Sequence, residues 1–159
     1  MKGQEQNAAD EVWGRYDMEW TGIRLYKAEA ECVSDRKFEG IAASLDITGV
    51  QMTGGGALKI DFTHTTKYQP GIATIRFCGF TLATGKKAEL DSLVSGWKKD
   101  RFLPKDVFET LVNLAKYSAE TNGVLVAKAL NIAPPLVVPR VRLAEPRPQI
   151  PAQKAGKKK

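Results

Sequence analysis

The residue types that most often carry enzyme chemistry are few in this chain, and they are not grouped. His64 is the only histidine, and no second metal ligand lies at a useful spacing from it. The run Gly54-Gly55-Gly56 is not followed by the Gly-Lys-Ser/Thr of a phosphate loop, and the carboxylates are scattered along polar faces. The sequence therefore indicates no catalytic residue, no metal site and no cofactor, and we do not expect an enzyme.

Large apolar side chains form a different kind of candidate site, one that would bind a partner through hydrophobic packing without chemical reaction. Trp97 and Phe102 flank the run Lys98-Lys99-Asp100-Arg101, and Leu103-Pro104 follows at once. Proline lacks an N–H and has a fixed φ, so it cannot continue one helix but suits the first turn of the next. This stretch is therefore predicted to join two helices and to place aromatic side chains at the break.

Four stretches with the apolar pattern of β-strands precede the join. Apolar side chains recur at every second position from Ile41 to Ile47 and from Leu58 to Phe62, and residues 72–83 are apolar on both faces. Thr53-Gly54-Gly55-Gly56 suits a hairpin loop, and Gln69-Pro70-Gly71 suits a tight turn. With residues 22–33 as the first strand, these short loops predict an antiparallel meander of four strands.

After the fourth strand the apolar period changes to that of an amphipathic helix. The residues of the first helical stripe are Leu90, Leu93, Val94 and Trp97. A second stripe begins at Val107 and passes Leu111, and the pattern fits either a bend or a continuous helix at Gly123. Two helices cover only one face of such a sheet, so we expect uncovered apolar sheet surface that another polypeptide covers.

Three segments are predicted: residues 1–20 as a partly flexible N-terminal segment, residues 21–141 as one domain, and residues 142–159 as a disordered basic tail rich in Pro and Lys. The N-terminal segment also fits a short helix that reaches Trp20. Seven basic residues and one acidic residue lie from Arg140 to Lys159, so this stretch holds the whole net charge of +6. Such a tail either solubilises a protein or contacts phosphate backbones.

Two further features bear on the cellular setting. Cys32 and Cys78 lack C-x-x-C spacing and fall in strand-like runs, which predicts buried free thiols rather than a disulfide. The sequence has no apolar stretch of about 18 residues, so we expect no membrane insertion. Residues 1–7 are polar and lack the apolar segment of a secretory signal, which predicts a cytoplasmic protein.

From about Ile23 to Val141, roughly three quarters of the chain, the sequence resembles the SecB-like chaperones. The resemblance rests on four strands before two helices, on the join from Trp97 to Leu103-Pro104, and on Leu130-Asn131-Ile132-Ala133-Pro134, which is similar to the family's L-N-L-A-P stretch. It implies an α+β fold, with a four-stranded antiparallel sheet and two C-terminal helices packed on one face. It also implies a homotetramer built as a dimer of dimers, and no cofactor.

The function that the resemblance implies is ATP-independent holding of unfolded or partly folded polypeptides, the clients, in apolar grooves between sheet and helices. The residues placed in such a groove come from the join, the second helix and the sheet: Trp97, Phe102 and Leu103; Val107, Phe108 and Leu111; Ile41, Leu45 and Phe62. For each of them the alternative is a place in the protomer core.

The charge distribution departs from the acidic export chaperones of this family, which dock on a motor ATPase. Residues 1–139 hold equal numbers of acidic and basic side chains, and the tail is basic. This departure favours the solitary chaperones that are dedicated to one antitoxin in toxin–antitoxin systems over general protein transport. The alternatives are a nucleic-acid- or ribosome-associated protein acting through the tail, which lacks aromatics to stack on bases, and a structural subunit of a larger complex.

Overall fold

The computed structural model describes residues 16–136, which form one antiparallel sheet with two helices on one of its faces. The strands are β1 Met18–Trp20, β2 Arg24–Cys32, β3 Gly40–Met52, β4 Leu58–Gln69 and β5 Ala73–Gly85, and the helices are α1 Lys87–Asp100 and α2 Lys105–Ala129. The predicted α+β class and the order of strands before helices are confirmed. The strand count is five, not four.

The additional strand is β1, which lies beside β2 along the same edge of β5. Met18 is paired with Gly85, and Arg24 with Phe80. Between the two strands, the Thr21 N–H donates to the Leu82 carbonyl at 2.9 Å, so residues 18–32 follow β5 almost without interruption. The helix that the sequence suggested near Trp20 is therefore wrong for residues 16–20, which are strand or without regular structure. The remainder of that suggestion and the basic tail lie outside the described residues.

The sheet order places β5 and β4 in the interior and β3 at the other edge. The loop from β3 to β4 closes with the Thr53 N–H donating to the Ala57 carbonyl at 2.8 Å, and Gly56 has the positive φ of 78° that glycine tolerates. At the turn from β4 to β5, Gly71 has a φ of 62°. Both predicted turns are confirmed.

The hydrophobic core lies between the helices and the inner face of β4 and β5. Fully buried side chains from both layers meet there: Leu58, Ile60 and Phe62 on β4, Ile75 and Phe77 on β5, Leu90 and Leu93 on α1, and Leu111 on α2. Burying one such side chain contributes about 1.5–3 kcal/mol to stability relative to leaving it exposed. These residues fix the positions of both helices on the sheet.

The sheet face without helices is mixed, because polar side chains of β4 lie beside half-buried Phe80 and Leu82 of β5, so part of the expected spare apolar surface is on this face. Along β4 this face carries Lys59, Asp61 and Thr63, and the Lys59 Nζ lies 2.9 Å from the Asp61 carboxylate. Strand alternation turns the apolar residues of β4 inward and the charged ones outward. Further uncovered apolar positions lie on the helix side of the edge strands, at Ala28 in β2 and at Ile41 in β3.

Helix α2 continues through Gly123 and ends in a Schellman motif. Asn131 has a φ of 54°, its N–H donates to the Lys128 carbonyl at 3.2 Å, and the Ile132 N–H donates to the Ala127 carbonyl at 3.0 Å. Asparagine tolerates this left-handed conformation better than most residues. The Leu130-Asn131-Ile132 run is thus a helix-termination signal.

The segment after this motif folds back onto the helix and the sheet. The Tyr68 hydroxyl donates to the Ala133 carbonyl at 2.7 Å, and Pro135 is buried against Gly123. A Cβ at Gly123 would lie 2.7 Å from the Pro135 Cγ, which explains a glycine within a helix. The segment from Ala133 to Pro135 therefore packs between the second half of α2 and the sheet and holds the two together.

Both cysteines are free thiols, as predicted, but Cys32 is exposed and Cys78 half-buried. The prediction of burial is wrong for Cys32 because β2 is an edge strand that no helix covers. Neither of the two helices is long and apolar enough to cross a membrane.

Candidate functional site

A cavity of about 320 Å³ lies where the join between α1 and α2 faces β3. Its walls come from three elements: Leu45, Asp46 and Ile47 on β3, Trp97, Arg101, Phe102 and Leu103 at the end of α1 and in the join, and Phe108 in the first turn of α2. Five residues that the sequence placed in a groove meet here, namely Leu45, Trp97, Phe102, Leu103 and Phe108.

The join owes its shape to the way in which α1 ends. Arg101 has a φ of 55°, and its N–H donates to the Trp97 carbonyl at 3.0 Å, which closes the helix. The chain then turns so that Phe102 is 50% exposed while Leu103 returns to the core. Pro104 precedes α2, and its carbonyl accepts the Phe108 N–H at 2.9 Å. Because the turn is short, both phenylalanines stay beside the cavity.

The cavity has a buried floor and an exposed aromatic rim. Trp97 is only 8% exposed and belongs to the core, whereas Phe102 and Phe108 are large exposed apolar side chains. Leu45 and Ile47 are half-buried and form the wall on β3. Exposed aromatics beside a concave apolar surface are typical of sites that bind other molecules.

Four predicted groove residues do not line this cavity. Phe62, Val107 and Leu111 are buried in the core, because Phe62 lies on the inner face of β4 and the other two lie on the stripe of α2 that faces the sheet. Ile41 is exposed on the same face of β3 as Leu45, but it lies outside the cavity. Of the sheet residues, only Leu45 lines the cavity as expected.

Three lining residues were absent from the sequence prediction. Ile47 lies two positions after Leu45 on the same strand face, so alternation carried a signal for it. Asp46 and Arg101 have no such signal, since charged residues are ordinary at a strand edge and at the last turn of a helix. The charged part of the site could be recognised only from the folded structure.

The strand that forms one wall also has a free edge. Within residues 16–136, β3 pairs only with β4 and is the last strand on its side of the sheet. An edge strand presents N–H and carbonyl groups that can pair with another extended chain. The arrangement therefore offers main-chain hydrogen bonds directly beside an apolar cavity.

His64 has no part in this cavity and lies buried between β4 and α2. It is 5% exposed, its Nδ1 has no hydrogen-bond partner among the described residues, and burial lowers the pKa of its imidazole. The charges of Glu120 and Lys116 on α2 act on that pKa in opposite directions, Glu120 raising it and Lys116 lowering it. Within residues 16–136 there is no group of three or more His, Cys, Asp or Glu side chains that would hold a metal ion.

Comparisons with known proteins bear on the fold. No family model matches the chain, and no curated protein matches it. Among solved structures, it is similar to the Mycobacterium tuberculosis SecB-like chaperone Rv1957, which was solved in complex with a ChAD peptide from the HigA1 antitoxin. The TM-score is 0.50 at 13% identity, over 79% of this chain and 88% of that one. At this identity the likeness concerns the fold, and the fold is SecB-like.

Proposed function

We propose that this protein is a SecB-like, ATP-independent chaperone that holds an extended segment of a non-native polypeptide. The segment lies between the free edge of β3 and the aromatic rim of the join. The observation that carries the proposal is the position of the cavity: in a SecB-like fold, a cavity with two exposed phenylalanines, Phe102 and Phe108, opens beside β3, the edge strand of the described sheet.

Two kinds of contact would act together on such a client. The strand edge of β3 supplies hydrogen bonds to any main chain, which gives affinity without sequence preference. The cavity, at about 320 Å³, is at the small end of the range for ligand pockets and would take one or two large apolar side chains. A site of this kind binds unfolded segments with exposed apolar residues and leaves folded proteins alone.

We further propose that the client is a dedicated one, such as an antitoxin, rather than the many clients of general export. The M. tuberculosis protein of similar fold was solved with an antitoxin peptide. The absence of net charge in residues 1–139 also argues against docking on an export motor through an acidic surface. In the assembled protein, a dimer of dimers, apolar positions of the opposite edge strand, such as Ala28 in β2, would be covered by neighbouring protomers.

The test is suppression of aggregation by the Phe102→Asp variant. Half of the Phe102 side chain is exposed, so a client can bury about 100 Å² of it, worth about 2.5 kcal/mol. That corresponds to a loss of client affinity on the order of 50-fold. The variant should keep its fold, because Phe102 is not a core residue, and it should fail to protect a chemically denatured client on dilution.

Tyr117→Asp is the matched control. Tyr117 is 73% exposed on α2 and does not line the cavity, so its replacement introduces the same charge and removes more exposed apolar surface. Protection should be unchanged in this variant. Equal protection by Phe102→Asp and the wild type, with both folded, would refute the proposed groove.

A further inference from the structure

We infer that Arg101 makes the groove selective for client segments in which a carboxylate lies next to the apolar anchor. The inference rests on the proposed function and specifies the chemistry of the client. It starts from the one cationic side chain among the lining residues of an otherwise largely apolar cavity.

The guanidinium of Arg101 is held in place without being neutralised. Its Cζ lies 5.2 Å from the centre of the Trp97 ring, a cation–π contact that consumes none of its N–H donors in a hydrogen bond. Among residues 16–136, no carboxylate lies within 4.0 Å of it, although Asp46 also lines the cavity. The N–H donors on the guanidinium edge therefore remain for a planar acceptor, and a carboxylate accepts two of them at once.

The backbone at this position favours a functional reason for the arginine. A φ of 55° at the end of a helix is the ordinary place for glycine, and arginine adopts it at a cost. A cation near the carbonyl end of α1 would also interact with the helix dipole, but Lys98 and Lys99 in the last turn already do so. The arginine is thus not needed to cap α1.

The charges near the cavity are of both signs. Lys98 and Lys99 have no ion-pair partner within the described part of the chain, whereas Lys105 lies 3.6 Å from Glu109. Asp100 is the acidic residue within the run. Because Asp46 lines the cavity together with Arg101, the selectivity rests on the unpaired guanidinium donors of Arg101 and not on a net positive potential.

The experiment compares two short synthetic peptides that share a Phe-Leu-Phe core, flanked by aspartate in one and by asparagine in the other. Their affinities for the full chain are measured by fluorescence anisotropy at low and high salt. We expect the aspartate peptide to bind about fivefold more tightly at low salt, with the preference decreasing as salt screens the charge.

Three variants locate the source of that preference. Arg101→Gly should bind both peptides equally while melting no lower than the wild type, since glycine adopts the left-handed conformation freely. Arg101→Lys, which keeps the charge but loses the planar fork, should keep only part of the preference. Lys128→Gln removes one charge at the far end of α2 and should keep all of it.

The outcomes separate this inference from the function on which it rests. If the wild type binds both peptides equally, or if the preference survives in Arg101→Gly, the selectivity is refuted while the holding function stands. If neither peptide binds and denatured clients are not protected, the proposed function fails, and the inference fails with it.

Discussion

The packing of β2 against β5 predicts that one glycine cannot be replaced even by alanine. A Cβ at Gly79 would lie 2.7 Å from the Arg24 carbonyl oxygen and 2.8 Å from the Leu25 Cδ2. Leu25 is paired with Gly79 next to an irregularity in the β2–β5 register, so the backbone of β2 would have to move.

The size of the effect follows from two opposing contributions. Replacing glycine by alanine inside a strand ordinarily gains about 0.5–1 kcal/mol, and forcing a methyl group into an occupied site costs about 1–3 kcal/mol. Because a backbone oxygen is the nearest atom, we expect the cost to exceed the gain, and Gly79→Ala to be destabilised by about 1–2 kcal/mol. For a chain of this size the melting temperature would fall by about 2–8 °C.

Gly96→Ala provides the matched control for this prediction. Gly96 is in α1, and a Cβ there would meet only the Phe102 carbonyl oxygen at 3.6 Å, an ordinary contact. Alanine is favoured over glycine in a helix by about 1 kcal/mol, so this variant should melt higher and hold clients as the wild type does. Differential scanning calorimetry of both variants and of the wild type measures the three melting temperatures that the prediction compares. A Gly79→Ala protein as stable as the wild type would refute the described packing of β2 on β5.

The remaining predictions concern His64, Tyr68 and the tail. Burial lowers the pKa of His64 from its ordinary 6.5, so on acidification the unfolded chain binds the proton before the folded protein does. The free energy of unfolding should therefore be constant with respect to this group above about pH 6.5 and decrease below it. Urea unfolding should give a lower free energy of unfolding at about pH 5 than at about pH 7. This difference should be smaller in His64→Gln than in the wild type, and an equal difference in both proteins would contradict the prediction. Tyr68→Phe removes the hydrogen bond to Ala133 and should cost about 1 kcal/mol, with hydrogen exchange rising first in residues 130–136. Truncation after Val138 should leave client protection unchanged, whereas loss of protection together with loss of salt-sensitive RNA binding would favour the nucleic-acid alternative.

The main elements could be predicted from the sequence because their apolar periods are long and unmixed. The alternation in β3 and β4 and the stripe from Leu90 to Trp97 leave little choice of structure. Strand β1 could not be found in this way, since three residues are too short to show a period. The uncovered sheet face is mixed because β5 is apolar on both faces and places Phe80 and Leu82 there, whereas in β4 charged residues such as Lys59 and Asp61 alternate with apolar ones.

The candidate site was only partly predictable, for a physical reason. Periodicity identifies the apolar face of an element but not the part of that face that another element covers. Val107 and Phe108 are neighbours at the start of α2, yet the first is buried against the sheet and the second is exposed at the cavity. The break between the helices was the better guide, because a chain that turns sharply cannot bury both Trp97 and Phe102. The role inferred for Arg101 depends on its cation–π contact with Trp97, which no pattern in the sequence encodes.

The central claim is that a client occupies the cavity beside β3, and site-specific photo-crosslinking tests it most directly. A photoreactive phenylalanine analogue in place of Phe102 should crosslink to a denatured client, and the same analogue in place of Tyr117 should not. Mapping by mass spectrometry should place the crosslinked client segment in a stretch rich in apolar residues. Equal crosslinking from both positions, or crosslinking from Tyr117 alone, would contradict the account.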